Sequence, residues 1–268
     1  MRDDEPIALP FKLGAAFALL VLLVPVAIVI LTGLNSGDYM TFPPQGLSLR
    51  WIKSFLTSPT FVPAYIFSFR LALAATLVAT IIGTAAALWL VRTNTVFAKA
   101  LRGLFVLPLV LPGVVLGLAL YVFFTTSGIG LARTFWGLLI GHVIVTTPLV
   151  IATVSASLVD FDRSLEDAAR SLGATPFGAF RRITLPIISS GIGAGALFAF
   201  IVSFGQFEVS LFLATPDQQP LPIAIYTSLR YRFEPTAAAA GIFAILLVVT
   251  STILSARLVN FRRLFGGR

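Results

Sequence analysis

The sequence predicts an all-α, polytopic membrane protein with about six transmembrane helices, and three observations carry that prediction. Hydrophobic residues make up 57% of the 268-residue chain and charged residues only 11%, with a mean hydropathy of +0.97. Apolar runs of about 20 residues recur, long enough to cross a ~30 Å hydrocarbon core as helices. The polar residues between them are clustered instead of alternating with apolar ones, which argues against a soluble helical domain. Cysteine is absent and His142 is the one histidine, so disulfides and thiolate chemistry are excluded and nothing points to a metal site.

Taken in order, the spans fall at approximately 13–34, 65–91, 101–125, 134–158, 185–213 and 236–259, in one transmembrane domain covering 1–268. The first resembles a signal peptide in following Arg2 and Lys12. Its apolar run is too long, its flank carries Asp3, Asp4 and Glu5, and no small-x-small site follows, so a retained span is expected. Pro108 and Pro112 interrupt the third span and Pro148 sits in the fourth. Such breaks persist in a membrane only where other helices or a water-filled cavity satisfy the backbone. Gly113/Gly117, Gly137/Gly141 and Gly191/Gly195 are small-residue pairs four apart that allow close helix approach.

Charge sets the expected orientation. With both termini cytoplasmic, thirteen of the nineteen basic residues fall on the inside: Arg2 and Lys12; Arg92, Lys99 and Arg102; Arg163, Arg170, Arg181 and Arg182; Arg257, Arg262, Arg263 and Arg268. The net charge of +8 is then the ordinary bias of cytoplasmic loops, with no call for nucleic acid.

The longest of those loops, 159–184, is the informative segment. Ser164 is placed to cap a short helix, with Asp167 three residues on to complete a capping box. Gly173 suits a left-handed stop. Thr175-Pro176 restarts a helix as cap and first residue, and Pro186 does the same for the fifth span. Small residues at Ala168, Ala169, Gly173 and Ala174 admit a close partner surface, and Phe177 and Phe180 offer apolar anchors. Local chemistry leaves two roles open: a connector lying on lipid headgroups through Arg181 and Arg182, or a docking element for a soluble partner.

Asp167-Ala168-Ala169, Gly173, then Ile183, Leu185 and Pro186 resemble the "EAA" loop of permeases from binding-protein-dependent ABC importers, the type I permease fold. The departure is Asp167 where the pattern has glutamate, with Glu166 immediately before it. The resemblance implies that Glu166, Asp167, Ala168, Ala169, Arg170, Gly173, Ala174, Phe177 and Arg181 form a coupling loop seated in an ATPase subunit. It further implies two such ATPases, which bind the ATP and Mg, a second and different permease chain, and a periplasmic or extracellular solute-binding protein. The location implied is the bacterial inner membrane. This chain itself would bind no cofactor and catalyse nothing, and it holds no Gly-x-x-x-x-Gly-Lys-[Ser/Thr] loop to cradle phosphates.

Ser203 to Ser210, Leu221 to Tyr226 and Glu234-Pro235 are similar to permeases of the spermidine/putrescine group, whose wider relatives handle aminoethylphosphonate, ferric iron and other small solutes. The expected pathway residues are Ser203, Gln206 and Glu208, with Gln206 standing where family members often carry an acid. Glu208, read as lying in the outer part of the fifth span, either guides a cationic solute, pairs with Arg70 or simply sits near the headgroups. His142 is expected to join helices by hydrogen bonds. The segment Tyr226, Arg230, Tyr231, Arg232 and Glu234 is either an interfacial belt or a contact for the binding protein. An ion-coupled secondary transporter would need more intramembrane acids or histidines than Glu208 and His142.

Overall fold

In the computed structural model, which describes residues 9–159 and 161–265, every regular element is helical. In order these are α1 (Leu9–Gly33), α2 (Arg50–Leu56), α3 (Phe61–Arg92), α4 (Val96–Val110), α5 (Gly113–Thr126) and α6 (Phe135–Val159). There follow α7 (Ser164–Ser171), α8 (Pro176–Ala179), a π turn (Phe180–Thr184), α9 (Leu185–Phe204), α10 (Glu208–Leu213), α11 (Leu221–Tyr231) and α12 (Thr236–Phe265). Five continuous stretches are long and apolar enough to span a membrane: α1, α3, α6, Pro176–Phe204 and the first part of α12. Arg2, the Asp3–Glu5 flank, Asp160 and Arg268 lie outside the described residues, as do the side chains of Lys99, Arg262 and Arg263.

The sixth span is α4 with α5, and it is broken. The two helices meet at 103°. The expectation that Pro108 also interrupts this span is corrected, because α4 runs through Pro108. The break is at Pro112: a residue before proline is driven from the helical region, and Leu111 stands at φ −69°, ψ 136°. The fifth span also ends earlier than expected. It ends at Phe204 instead of continuing to 213, and Glu208 opens the separate helix α10. Pro148 leaves α6 continuous.

The residues pack as two units. The first holds the chain up to Val62 with Ile225–Leu247. There Gly33 lies against the backbone of Ala238 and Ala239, Phe55 stacks on Phe243 at 4.3 Å, and Ser54 shares a 3.1 Å hydrogen bond with Thr236. Buried Asn35 organises the segment after α1. Its amide donates to the Tyr39 carbonyl and the Thr41 hydroxyl, and its oxygen accepts from the Gly37 and Gln45 N–H groups.

The second unit is Pro63–Ala224 with Val248 onward, and α6 is its axis. Lipid is as apolar as leucine, so close packing of small residues, not burial alone, holds such helices together. A β-carbon on Gly191 or Gly195 would fall within 3.0 Å of α6 backbone atoms at Thr153 or Val150, and one on Gly83 of α3 would overlap Val150. The expected role of the Gly191/Gly195 pair is therefore met by direct backbone approach. Buried apolar residues form two clusters along α6. One, toward the α7 end, contains Leu90, Val154, Leu158 and Ile188; the other contains Leu71, Phe124, Leu138 and Val209.

Candidate functional site

Two sites emerge, one at each break from regular helix. At the first, α7 and α8 form the compact helix–turn–helix expected for 159–184. The capping of α7 differs from expectation. Ser164 is its first residue, not its cap, and the Asp162 carboxylate accepts the Ser164 N–H at 2.9 Å. That bond, with the Ser164 side chain, holds the Asp162 carboxyl below the usual aspartate value. Asp167 is left exposed. The C-terminus is as expected: Gly173 takes φ +88°, Ala174 N–H reaches the Ala169 carbonyl and Gly173 N–H reaches that of Arg170, the two bonds of a Schellman stop. Thr175 caps α8 by accepting the Gly178 N–H at 3.1 Å, with Pro176 next.

Glu166 points the other way from Asp167. Its Oε1 accepts from Arg92 at the end of α3, at 2.5 Å, and from the hydroxyl of buried Thr184 in the π turn. Burial pushes this carboxyl up, but the Thr184 hydroxyl, Arg92 and Arg163 outweigh it and hold it below the ordinary glutamate value. Arg163 donates to the Val91 carbonyl at 2.9 Å and Arg102 to that of Leu90 at 2.5 Å, satisfying the last turn of α3. One carboxylate thus ties α7 to α3 and to the start of the fifth span. The π turn itself follows from Pro186, which has no N–H for the ladder; Leu185 N–H reaches back five residues to Phe180.

What the loop offers outward is small and apolar. Leu172 is 90% exposed and Phe177 71%. Ala168, Arg170, Gly173 and Arg181 are exposed, Ala169 and Ala174 half-buried, and Phe180 turns partly inward. Sequence reasoning missed Leu172, although an apolar residue next to a left-handed stop is a recognisable signal. It also missed Arg92 and Thr184, whose partner Glu166 is distant in sequence.

The second site lies where the two broken spans meet. A β-carbon on Gly117 would come within 3.0 Å of the Glu208 carbonyl and the Val209 Cα, so α5 and α10 touch through backbone. Gly113 would meet the Glu208 side chain at 2.9–3.0 Å, which places that carboxylate over the first turn of α5. Glu208 therefore opens α10 against the start of α5, beyond the end of α9, instead of lying within the helix of the fifth span. Glu208 is exposed and Arg70 is not its partner: the ion pairs among the described residues are Arg50–Asp38 and Arg92–Glu166.

Beside it, His142 joins three helices, as expected of a helix-to-helix hydrogen-bonding residue. Its Nδ1 lies 2.8 Å from the Ser203 hydroxyl of α9 and its Nε2 3.0 Å from the Ser210 hydroxyl of α10. Ser210 spends its one hydrogen on the Gln206 carbonyl at 2.6 Å. Nε2 of the neutral ring is therefore the donor, and Nδ1 accepts from Ser203. Ser203 and Gln206, named as pathway residues, are buried in this network beside exposed Glu208. His142→Ala should lower stability by about 1–3 kcal/mol, from the cavity and the stranded hydroxyls. Thermal unfolding in detergent reads this as a drop of several degrees, and an unchanged midpoint would show that the hydroxyls rebond elsewhere.

Comparison with known proteins follows this geometry. Residues 79–264 match the family described as "Binding-protein-dependent transport system inner membrane component". The spermidine/putrescine transport system permease protein PotC of Escherichia coli (strain K12) is 29% identical over 234 residues, covering 87% of this chain and 88% of that protein. The putrescine transport system permease protein PotI of the same strain is 32% identical over 219 residues, 79% of this chain and 76% of that one. A chain in the crystal structure of a bacterial alginate ABC transporter, in complex with an alginate pentasaccharide-bound periplasmic protein, superposes with a TM-score of 0.68 at 18% identity. It covers 91% of this chain and 92% of its own.

Proposed function

Because the chain belongs to the binding-protein-dependent transport system inner membrane component family, and is an ABC importer permease, we propose that it forms half of a polyamine pathway. In this reading the segment 159–184 couples that pathway to ATP hydrolysis in a separate ATPase. Two ATPases bind ATP and Mg at the cytoplasmic face, a second and different permease completes the pathway, and a solute-binding protein delivers from outside. Both termini are cytoplasmic, in keeping with the basic residues that gather at the α7 end.

The observation that carries the coupling reading is the division of labour in α7. Glu166 locks inward onto α3 and Thr184, while Leu172, Gly173 and Phe177 face outward with nothing over them. An element built this way passes a push from outside to two membrane helices as a rigid body. The polyamine reading draws on the kinship with PotC and PotI. It also draws on Glu208, an acid that forms no ion pair among the described residues and stands where two helix breaks adjoin. Such a group is costly in lipid and is normally kept for a cation or an aqueous path.

The test is ATP-driven uptake of spermidine and putrescine by proteoliposomes holding this chain with its co-purified permease, ATPase and binding protein. Uptake of either is expected. Glu208→Gln should raise the apparent KM by about 3- to 10-fold, the scale of one partly screened charge contact. Binding-protein-stimulated ATPase activity without uptake of either polyamine would remove the substrate reading and keep the importer. Normal uptake and solute preference in Glu208→Gln would remove Glu208 from the pathway.

A further inference from the structure

A cavity of about 310 Å³ lies between the end of α3, α4 and α6. Its walls are Leu90 and Val91, then Phe105 and Val106, then Ile151 and Ala152. It runs along α6 from Val159, at the α7 end, inward to Pro148, about three helical turns or roughly 16 Å. The lining is hydrocarbon apart from Ser155 and Arg102. The space is too apolar and too long for ordered water, which needs two to four polar partners.

The charge stands at one end. Three guanidiniums gather around the last turn of α3: Arg92, Arg102 and Arg163. Glu166 neutralises Arg92, and the Asp162 carboxylate is engaged with the Ser164 N–H. Arg102 and Arg163 each give one N–H to a carbonyl of a wall residue, Leu90 and Val91 respectively. Each is exposed and keeps most of its five donors. An apolar slot with two under-used guanidiniums at its mouth matches a molecule with a long hydrocarbon chain and an anionic head.

We infer that this groove binds one anionic phospholipid of the surrounding bilayer, an acyl chain along α6 and the phosphate against Arg102 and Arg163. The membrane supplies such a molecule at this depth, and basic clusters at helix ends favour anionic over zwitterionic headgroups. The inference needs only that the chain spans a bilayer, so it stands apart from the polyamine reading. It has a mechanical consequence: the lipid would bridge α3, α4 and α6 beside the Glu166 anchor.

The test is native mass spectrometry of the assembled transporter, released from detergent after equilibration with equal amounts of phosphatidylglycerol and phosphatidylcholine. The wild type should retain phosphatidylglycerol about 25-fold over phosphatidylcholine, roughly the preference two arginines confer at about 1 kcal/mol each. Arg102→Gln, which removes one of the two charges, should cut that ratio about fivefold. Ala152→Phe, which fills the groove, should remove the retained lipid; Val106→Phe does so from the opposite wall if the first variant fails to assemble. Equal retention of the two lipids by the wild type would overturn the proposal. So would selective retention that survives both filling variants. Absence of any retained lipid would show that the second permease covers the groove, and would overturn it equally.

Discussion

Gly173→Asp should leave the chain folded in the membrane and abolish ATPase association and ATP-driven uptake. The fold survives because the side chain has room: a β-carbon at Gly173 meets nothing within 4 Å. The one structural cost is the backbone, held at φ +88°, a conformation that aspartate tolerates better than most residues, at about 1 kcal/mol. A domain stable by 5–15 kcal/mol absorbs that. Function should not survive, because the new carboxylate stands beside Leu172 and near Phe177, two strongly exposed apolar groups of the loop. Burying an unpaired charge under a partner costs several kcal/mol, enough to weaken association a hundredfold or more. Gly173→Ala is the control, since it carries a comparable backbone cost and no charge; it should keep most of the uptake. The measurements are co-purification of the ATPase and uptake in proteoliposomes. Undiminished coupling in Gly173→Asp would mean that the loop tip does not seat in a partner.

The features legible in the sequence are those whose cause is local. Hydrocarbon length placed the spans, and Gly173, Thr175 and Pro176 announced the turn of the loop, because caps and left-handed stops are written within a few residues. Pro112 was legible as a break for the same reason, although Pro108 was not distinguishable from it. The features that stayed hidden depend on pairs far apart in the chain. Nothing around Glu166 says that it, and not Asp167, turns inward, because the choice is made by Arg92, 74 residues earlier, and by Thr184. Nor does the apolar run 185–213 show that it turns at Gly205. That turn is stabilised by Ser203 and Ser210 reaching one histidine on another helix, and by Gly117 letting α5 close on α10. It takes Glu208 out of the fifth-span helix and sets it against the start of α5, and that changes the reading of the residue.

Reversing the charge at Glu166 should uncouple the transporter without dismantling it, and a second reversal should restore coupling. Glu166→Arg sets a guanidinium against Arg92 and Arg163 where a carboxylate had joined them. The repulsion frees α7 from α3, while Leu172, Gly173 and Phe177 still face outward to engage a partner. ATP turnover should persist and uptake per ATP should fall at least tenfold, the equivalent of about 1.4 kcal/mol. Arg92→Glu combined with Glu166→Arg re-forms the ion pair, and Thr184 can accept from the new arginine, so a substantial part of the ratio should return. Recovery in the double variant is the readout that a merely structural defect would not give. Glu166→Gln should be milder, about 1–2 kcal/mol for one charge-assisted hydrogen bond made neutral. The pH profile separates it further. The folded-state carboxyl lies below its ordinary value, so its contribution is complete above the unfolded glutamate pKa and fades only as pH falls through the lower, folded value. The wild-type coupling ratio should therefore be flat from about pH 5 upward. A ratio that titrates near neutrality, or a double variant as uncoupled as Glu166→Arg alone, would show that the push reaches α3 and α9 by another route.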